Sequence, residues 1–265
     1  AIIDTRCFQF DFVFEANDSQ ECVYQSCAFP IVDKLFEGYN CTILAYGQTG
    51  SGKTYTMGSE ETVQDLVRPT AGIIPRMVQD IFRNIERSSE FCFRLSCSML
   101  EIYNENVRDL LGRRDALQIR EDVQQGIFIK NLTEIPVQSL KDTLICLEEG
   151  CRNRSQAQTA MNLKSSRSHA IFILNLNKTA ADESTSVKAR LNLVDLAGSE
   201  RLKKTLAEGD RLKEGIKINE GLLALGNVIA ALIDHSSTKA HIPYRDSKLT
   251  RLLQGTINYE TSLTI

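Results

Sequence analysis

A glycine-rich loop constrains this sequence more than any other feature. Residues 47–54 read GQTGSGKT and directly follow the apolar run CTILAY at residues 41–46. Glycines let the backbone turn so tightly that successive N–H groups converge on phosphate oxygens. In a strand–loop–helix unit of this kind, the lysine contacts the β- and γ-phosphates and the last hydroxyl binds Mg²⁺. We therefore predict a nucleoside triphosphate site, rather than a turn that binds nothing, formed by Gly47, Gln48, Thr49, Gly50, Ser51, Gly52, Lys53 and Thr54.

The composition narrows the class of protein around this loop. Among 265 residues the formal net charge is −3, so an acidic partner would have to be met by a local basic patch. No apolar stretch approaches the ~18 residues that span a bilayer. The eight cysteines are scattered without a C-x-x-C pair, which favours free thiols in the cytosol over disulfides or zinc. We expect one cytoplasmic domain.

Strands and helices alternate along the chain. This alternation predicts a central sheet with helices on both faces. Strands are predicted over residues 8–14, 41–46, 93–102, 127–132, 170–177 and 189–195. Helices are predicted from Asp18 or Ser19 to a stop at Gly38, from Thr54 onward, and over 74–87, 140–152 and 212–232. The polar residues 59–72, which include Pro69, are predicted to form a loop.

A second motif supplies a carboxylate. Enzymes that act on nucleoside triphosphates need one to order the Mg²⁺ shell, and they need a sensor for the γ-phosphate. Residues 191–200 read LNLVDLAGSE, in which Asp195 ends an apolar strand and Gly198 offers a backbone N–H to a phosphate. Taken alone this is weak evidence, because many buried strands end in an aspartate that caps a turn.

Two more motifs make the set specific. Residues 162–169 read NLKSSRSH, and residues 244–250 read YRDSKLT. Together with AYGQTGSGKT and DLAGSE, in this order and spacing, they resemble the phosphate loop, first switch, second switch and a further signature of the kinesin motor domain. The resemblance runs from about Phe8 to the end of the chain. Residues 208–215, EGDRLKEG, are most similar to the chromokinesin branch, the fourth kinesin family.

The resemblance implies a fold, an activity and partners. The fold would be the α/β three-layer sandwich of P-loop nucleoside triphosphatases, with a central, mostly parallel sheet. The activity would be microtubule-stimulated ATP hydrolysis coupled to movement, with ATP and Mg²⁺ bound. The partners would be microtubules, with neither membrane nor nucleic acid bound by this domain. The location would be the cytoplasmic cytoskeleton, or the spindle or nucleus.

The same resemblance assigns roles to single residues. Thr54, Ser166 and Asp195 would hold the metal, and Ser168 would help hold the first switch over the γ-phosphate. Arg167 and Glu200 would form a salt bridge between the switches. Tyr55 would stack on adenine, which favours ATP over GTP, and His169 would be a structural hydrogen-bonding group rather than a base. The expected catalytic set is Ser166, Arg167, Gly198, Asn219 and Glu200, with Glu200 accepting a proton through a second water.

Two basic stretches lie on either side of the predicted long helix. Residues 201–217 carry six basic side chains against three acidic ones, and residues 239–251 carry four against one. Taken alone, such runs are ordinary solvated surface. The resemblance places the contact with acidic tubulin around this helix, so we expect a microtubule-binding face there. Its predicted members are Lys203, Lys204, Lys213, Lys217, Tyr244, Arg245, Lys248 and Arg251.

The two ends of the sequence depart from the family pattern. No R-x-R-P strand is matched near residue 1, and residues 261–265 resemble only the opening of the family's last strand. We therefore expect a motor domain, over residues 1–265, that lacks its first strand and its last strand, helix and neck linker. Dimerisation would need a coiled coil outside the chain. Two alternatives to a motile ATPase stay open: a regulator of microtubule ends with little motility, and an inactive fragment that binds tubulin.

Overall fold

A computed structural model describes residues 7–59, 68–123, 126–160, 167–200, 210–233, 241–257 and 262–264, with backbone alone for 158–160, 210–218 and 262–264. Its strands are β1 (Cys41–Ala45), β2 (Phe91–Tyr103), β3 (Asn106–Asp109), β4 (Arg114–Leu117), β5 (Ile119–Asp122), β6 (Gly126–Ile129), β7 (Ile135–Val137), β8 (His169–Ala180), β9 (Ser186–Asp195) and β10 (Ser262–Thr264). Its α-helices are α1 (Gln20–Val23), α2 (Phe29–Glu37), α3 (Lys53–Met57), α4 (Ile73–Arg87), α5 (Leu140–Ala160), α6 (Asp210–Ile233) and α7 (Lys248–Leu253).

The large sheet is mixed rather than mostly parallel, which corrects the prediction. Its order is β10-β1-β9-β8-β2-β3-β4, with β7 paired to β2. β1 has parallel neighbours on both sides, β9 and β10, whereas the other pairings recorded in this sheet are antiparallel. The reason is the length of the connections: β2 to β3 and β8 to β9 are joined by short turns, and a short turn can only reverse the chain. A second, two-stranded sheet pairs β5 with β6.

Helices cover both faces of the large sheet, as predicted. Alternate residues of one strand therefore enter two different cores: Phe172 and Leu174 of β8 pack on the first face, Ile171 and Ile173 on the second. The first core includes buried side chains of α2, α4 and α5, and the second includes buried side chains of α6 and α7. Burial on both faces explains why β1 and the end of β9 are apolar runs without alternation.

The first helical segment begins and ends where the sequence predicts. The Ser19 hydroxyl accepts the N–H of Cys22 at the start of α1, and Gly38 ends α2 with φ of 102°. A turn of π-helix over Tyr24–Ala28 joins α1 to α2. The Tyr24 hydroxyl, inside this π-helical turn, donates a hydrogen bond to Asp80 of α4 at 2.6 Å. This bond holds the π-helical turn against α4 on the first face of the sheet.

Several predicted boundaries differ from the structure. Residues 8–14 form no strand, although their aromatic residues alternate, and the side chains of Phe8, Phe10 and Phe12 are exposed. Alternation shows only that a segment is able to pair, whereas a strand also needs a partner. Helix α5 runs to Ala160, beyond the predicted residue 152, and the first two residues past that point, Asn153 and Arg154, are buried. The loop predicted over 59–72 lies largely outside the described residues, since 60–67 are not described.

None of the helices in the described ranges combines the length and the apolar run that a bilayer crossing requires.

We predict that Gly72→Ala destabilises the fold. A Cβ at Gly72 would lie 2.4 Å from the backbone N of Gly58, and backbone atoms cannot move aside cheaply. Urea unfolding should show a loss of about 1–3 kcal/mol. The matched control is Gly226→Ala in α6, where nothing lies within 4 Å of the added Cβ, and which should gain about 0.5–1 kcal/mol. Equal effects at the two glycines would contradict the packing described above.

Candidate functional site

The glycine-rich loop has the strand–loop–helix context that the sequence predicts. It leaves β1 after Ala45 and enters α3 at Lys53. Gly50 and Gly52 have φ of 79° and 96°, a left-handed conformation that other residues rarely adopt. The Lys53 ammonium donates to the carbonyl oxygens of Gly47 and Gln48, at 2.9 Å in both cases. The lysine therefore places its positive charge on the loop itself.

The end of β9 brings the predicted metal-binding carboxylate to this loop. β1 and β9 are parallel and Ala45 is paired with Asp195. The segments that follow these two strands therefore leave the sheet side by side. The Thr54 hydroxyl donates to Asp195 Oδ2 at 2.9 Å. Asp195 Oδ1 is buried and accepts no hydrogen bond from any described residue. A hydroxyl and a carboxylate with a spare buried oxygen fit a hard cation such as Mg²⁺.

Arg154 belongs to the same site, although no motif pointed to it. It comes from α5, is 6% exposed, and places Nη1 3.3 Å from Asp195 Oδ2. Its Nη2 also donates to the carbonyl oxygen of Ser168 at 3.1 Å. One sequence signal was available: Arg154 lies seven residues after the buried Leu147, so it falls on the buried face of a helix. A charged residue there needs a buried partner.

The buried charges around Arg154 are balanced. Glu101 of β2 is 3% exposed and lies 3.7 Å from Arg154 Nε and 3.8 Å from Arg108 Nη1. Arg108 is also bonded to Asp115. An unpaired charge at this depth would be strongly destabilising, whereas alternating acids and bases cancel most of that cost. The network runs from Asp115 of β4 through Arg108, Glu101 and Arg154 to Asp195 of β9.

Glu200 contacts the phosphate loop directly. Its Oε2 accepts the backbone N–H of Thr49 at 2.8 Å, and its Oε1 accepts the Thr49 hydroxyl. The N–H of Ser199 donates to the Gly47 carbonyl oxygen at 3.0 Å. Burial raises the pKa of Glu200, but the hydrogen bonds from Thr49 outweigh it and hold the pKa below its usual value. Together with the bond from Thr54 to Asp195, the second motif is thus joined to the loop by four hydrogen bonds.

Gly198 is required by close approach rather than by its backbone angles. A Cβ at this position would lie 2.3 Å from Glu200 Oε2 and 2.5 Å from Thr49 Oγ1. A side chain here would push the Glu200 carboxylate and the Thr49 hydroxyl out of their present positions.

His169 has the structural role predicted for it. Its Nδ1 accepts the N–H of Ala197 at 3.1 Å, and the residue is 5% exposed. Burial, with a further contribution from the Arg154 charge, lowers the pKa of His169 to about 4. The imidazole is therefore neutral at physiological pH and links β8 to the segment that follows β9.

The remaining predicted nucleotide-site residues differ in exposure, and one of them lies outside the described residues. Tyr55 is 59% exposed on α3, so its ring is available at the surface. The Ser168 hydroxyl lies 3.4 Å from Arg154 Nη2, and Arg167 and Asn219 are half-buried. Ser166 lies outside the described residues. The roles predicted for these residues, and for Arg167 with Glu200, stay predictions.

The predicted track-binding residues that the structure describes lie on α6, on α7 and on the 3₁₀ turn Tyr244–Asp246. Helix α7 packs on α6 and begins with a capping box between Ser247 and Thr250. Arg245 is exposed, with Nη2 3.5 Å from Glu121 Oε2, and Lys248 and Arg251 are half-buried. Lys213 and Lys217 fall on α6, where only the backbone is described, and Lys203 and Lys204 lie outside the described residues.

Comparison with known proteins identifies the family. The family described as "Kinesin motor domain" matches residues 3–265. The chain belongs to the kinesin motor domain family. The predicted family is therefore confirmed.

Relatives of this kinesin motor domain point to one branch. It is 53% identical over 257 residues to "Chromosome-associated kinesin KIF4" of Xenopus laevis, which covers 95% of the chain and 21% of the relative. It is also 53% identical over 256 residues to "Chromosome-associated kinesin KIF4A" of Homo sapiens, with the same two coverages. These similarities support the predicted chromokinesin branch. The chain spans about a fifth of the length of these relatives.

Solved structures confirm the α/β architecture of this kinesin motor domain. A structure of a fast kinesin matches with a TM-score of 0.86 and 41% identity, over 97% of this chain and 72% of that one. The motor domain of a Kar3-like kinesin from Ashbya gossypii matches with a TM-score of 0.79 and 36% identity, over 97% and 76%.

We predict that His169→Asn flattens the acid dependence of stability. Between pH 6.5 and about 4 the unfolded chain protonates His169 while the folded chain keeps it neutral, so the folded state binds fewer protons. Stability is lost as pH falls through this window, by up to about 1.4 kcal/mol per pH unit, and is unaffected above it. Asparagine accepts the Ala197 N–H without titrating. The measurement is the free energy of unfolding of the wild type minus that of the variant. This difference should decrease as the pH is lowered from 6.5 to about 4. A difference that stays constant over this range would contradict the assignment.

Proposed function

We propose that the protein carrying this motor domain hydrolyses ATP at the glycine-rich loop and uses the cycle to bind, release and move along microtubules. The observation that carries the proposal is the direct joining of the loop to the second motif, through Thr54 with Asp195 and Thr49 with Glu200. A site that responds to the γ-phosphate needs this connection, because the second motif leads toward α6.

Thr54 and Asp195 are the residues we assign to Mg²⁺, with Ser166 as the third predicted ligand. The spare Asp195 Oδ1 supports this assignment, since a buried carboxylate oxygen without a donor is otherwise costly. Bound Mg²⁺ would neutralise charge on the phosphate oxygens. Arg154 orients the Asp195 carboxylate through Oδ2, the same oxygen that accepts the Thr54 hydroxyl.

We assign adenine to the bound base because the kinesin family binds ATP and Tyr55 lies where that family stacks a ring on adenine. The Tyr55 ring is exposed at the end of the loop, where an aromatic face can stack on a purine. The Gln20 side chain donates to the Tyr55 carbonyl oxygen at 2.7 Å and so fixes α3 to the start of α1. ATP is therefore the nucleotide we propose.

Water activation is assigned to the two switches. Gly198 would offer its N–H to the γ-phosphate, Asn219 would order the water network, and Arg167 would pair with Glu200 behind the nucleotide. Glu200 would then accept a proton through a second water. In the conformation described here its carboxylate is held by Thr49, so it must leave Thr49 before it takes that role.

Coupling to the track is assigned to α6 and α7. The state of the γ-phosphate would set the position of the second switch, and the switch would set the position of α6 and its neighbour α7. The predicted contacts with tubulin are Lys203, Lys204, Lys213, Lys217, Tyr244, Arg245, Lys248 and Arg251.

A second candidate function is control of microtubule ends with little motility. The similarity to chromosome-associated kinesins motivates it, and with it we propose that the whole protein associates with chromosomes. Imaging of single filaments separates the two functions, because a regulator changes growth rates without moving along the filament.

We predict that microtubules raise ATP turnover of the full-length protein by about tenfold or more, within the range of free-energy coupling between linked sites. The measurement is steady-state phosphate release with and without microtubules. Arg245→Glu should lose much of this stimulation, because it reverses a charge on the predicted track face.

The matched control is Arg83→Glu, a charge reversal on α4 at the opposite face of the sheet, where the arginine side chain is also more than half exposed; it should keep the stimulation. Absence of stimulation in the full-length wild type would overturn the proposal.

A further inference from the structure

We propose that Glu105 is a positioning residue for microtubule binding, because its carboxylate fixes where the first turn of α7 lies on the sheet. Glu105 belongs to the short turn between β2 and β3, and neither the nucleotide-site motifs nor the predicted track face includes it. The inference rests on the proposed function, in which Tyr244, Arg245 and Lys248 contact tubulin.

The residue type at position 105 is unusual for its backbone conformation. Tyr103 of β2 pairs with Asn106 of β3, so Asn104 and Glu105 form a two-residue hairpin turn, with φ of 51° and 60°. A hairpin turn with positive φ at both positions favours asparagine followed by glycine. Asn104 follows this preference, whereas glutamate rarely adopts the left-handed region. A glycine would form the turn with less strain, so the reason for a glutamate is sought in the contacts of its side chain.

The carboxylate of Glu105 caps α7 from a distant part of the chain. Its Oε2 accepts the backbone N–H of Lys248, the first residue of α7, at 2.7 Å, across 143 positions of sequence. The first N–H groups of a helix have no partner within the helix, and a negative charge is favourable at this end of the helix dipole. The bond uses the backbone of Lys248, so it fixes the start of the helix without engaging the ammonium that is predicted to meet tubulin.

A second cap at the same end of α7 is local and has a different effect. Ser247 and Thr250 form the capping box, and the Thr250 hydroxyl donates to the Tyr244 carbonyl oxygen at 2.8 Å. These bonds join the 3₁₀ turn Tyr244–Asp246 and the first turn of α7 into one unit, and they move with that unit. The bond from Glu105 ties the unit to the sheet, so it determines where the predicted track residues of the unit lie.

The turn that carries Glu105 is a rigid support for a short helix. β2 pairs with β8 along its length, and its last four residues pair with β3 on the other side. Helix α7 has only six residues and packs on the second core through Leu249, Leu252 and Leu253. Apolar packing is non-directional, so by itself it does not fix the rotation of the helix. A hydrogen bond to an ionised carboxylate is stronger and more directional, so it restricts that rotation.

Glu105 also lies beside α6. A Cβ added at Gly221 of α6 would be 3.8 Å from Glu105 Oε1, so the second carboxylate oxygen faces that helix. Helices α6 and α7 pack on each other. The carboxylate is therefore placed where the hairpin turn meets both helices of the predicted track face.

The test separates the hydrogen bond from the fold of the turn. Glu105→Gly and Glu105→Asn both suit a left-handed backbone, and both leave a side chain too short to reach Lys248. Phosphate release by the full-length protein is measured over a range of microtubule concentrations, in variants whose thermal melts match the wild type. Each variant should need about threefold to tenfold more microtubules for half-maximal stimulation, the effect of one partly exposed hydrogen bond. The maximal turnover should change by less than about twofold, because the contact acts on binding rather than on hydrolysis.

Two variants serve as controls. Glu105→Gln keeps an oxygen that accepts the Lys248 N–H, so it should keep the wild-type half-maximal concentration. Glu183→Gly makes the same chemical change at another glutamate with positive φ, 58°, in the exposed turn between β8 and β9. That turn adjoins the start of β2, whereas Glu105 follows its end, so Glu183→Gly should also match the wild type.

A wild-type half-maximal concentration in both Glu105→Gly and Glu105→Asn would overturn the role of Glu105 while leaving the proposed function in place. An equal loss in Glu105→Gln would overturn it as well, because the acceptor oxygen would then not matter. Absence of any stimulation in the wild type would overturn the proposed function itself, and this inference with it.

Discussion

The parallel pairing of β1 with β9 is the constraint on which the rest of the site depends. The two strands are adjacent and in register, so Ala45 and Asp195 end them at the same level. After Ala45 the backbone enters the phosphate loop, and after Asp195 it continues through the rest of the second motif. Every contact that gives the site its chemistry follows from this arrangement: Thr54 meets Asp195, Thr49 meets Glu200, and Ser199 meets Gly47. Apart from β10, which is parallel to β1, the remaining strands of the large sheet pair in antiparallel fashion, and the helices bury the sheet on both faces.

Charge is the second theme of the structure. Asp195 carries a negative charge in a buried setting, and Arg154 and Glu101 extend it into an alternating network that reaches the surface through Arg108. Such a network contributes little net stability but defines one geometry, since breaking any member leaves a buried charge alone. At the exposed end of the site a charged side chain is able to move, because it is not buried. Glu200 is a solvent-accessible anion on exposed donors, so a competing phosphate can displace it at modest cost.

Much of the nucleotide site and the ends of the first helical segment could be predicted from the sequence, because short motifs determine local backbone conformation and local contacts. The loop glycines, Asp195, Gly198 and the capping of the first helix by Ser19 and Gly38 were predicted and lie where expected. Arg154 was missed because its partner, Asp195, lies 41 residues further along the chain, and a tertiary contact of this kind is not encoded in a local motif. The strand over residues 8–14 was predicted wrongly, because a local pattern was present but its partner was not. Alternating aromatic residues form a strand only where a neighbouring strand pairs with them. The mostly parallel sheet was wrong because the short turns before β3 and β9 were not recognised.

The central claim is that Thr54 and Asp195 act as one Mg²⁺ site within a nucleotide pocket. It is tested most directly by a double-mutant cycle on the Mg²⁺ dependence of ADP affinity, with Thr54→Val, Asp195→Asn and the pair. If both side chains serve one ion, each single change should remove most of the Mg²⁺ dependence, and the double change should add little. The coupling energy should then be about 1–3 kcal/mol. Additive effects, or an ADP affinity that does not depend on Mg²⁺ in the wild type, would contradict the account.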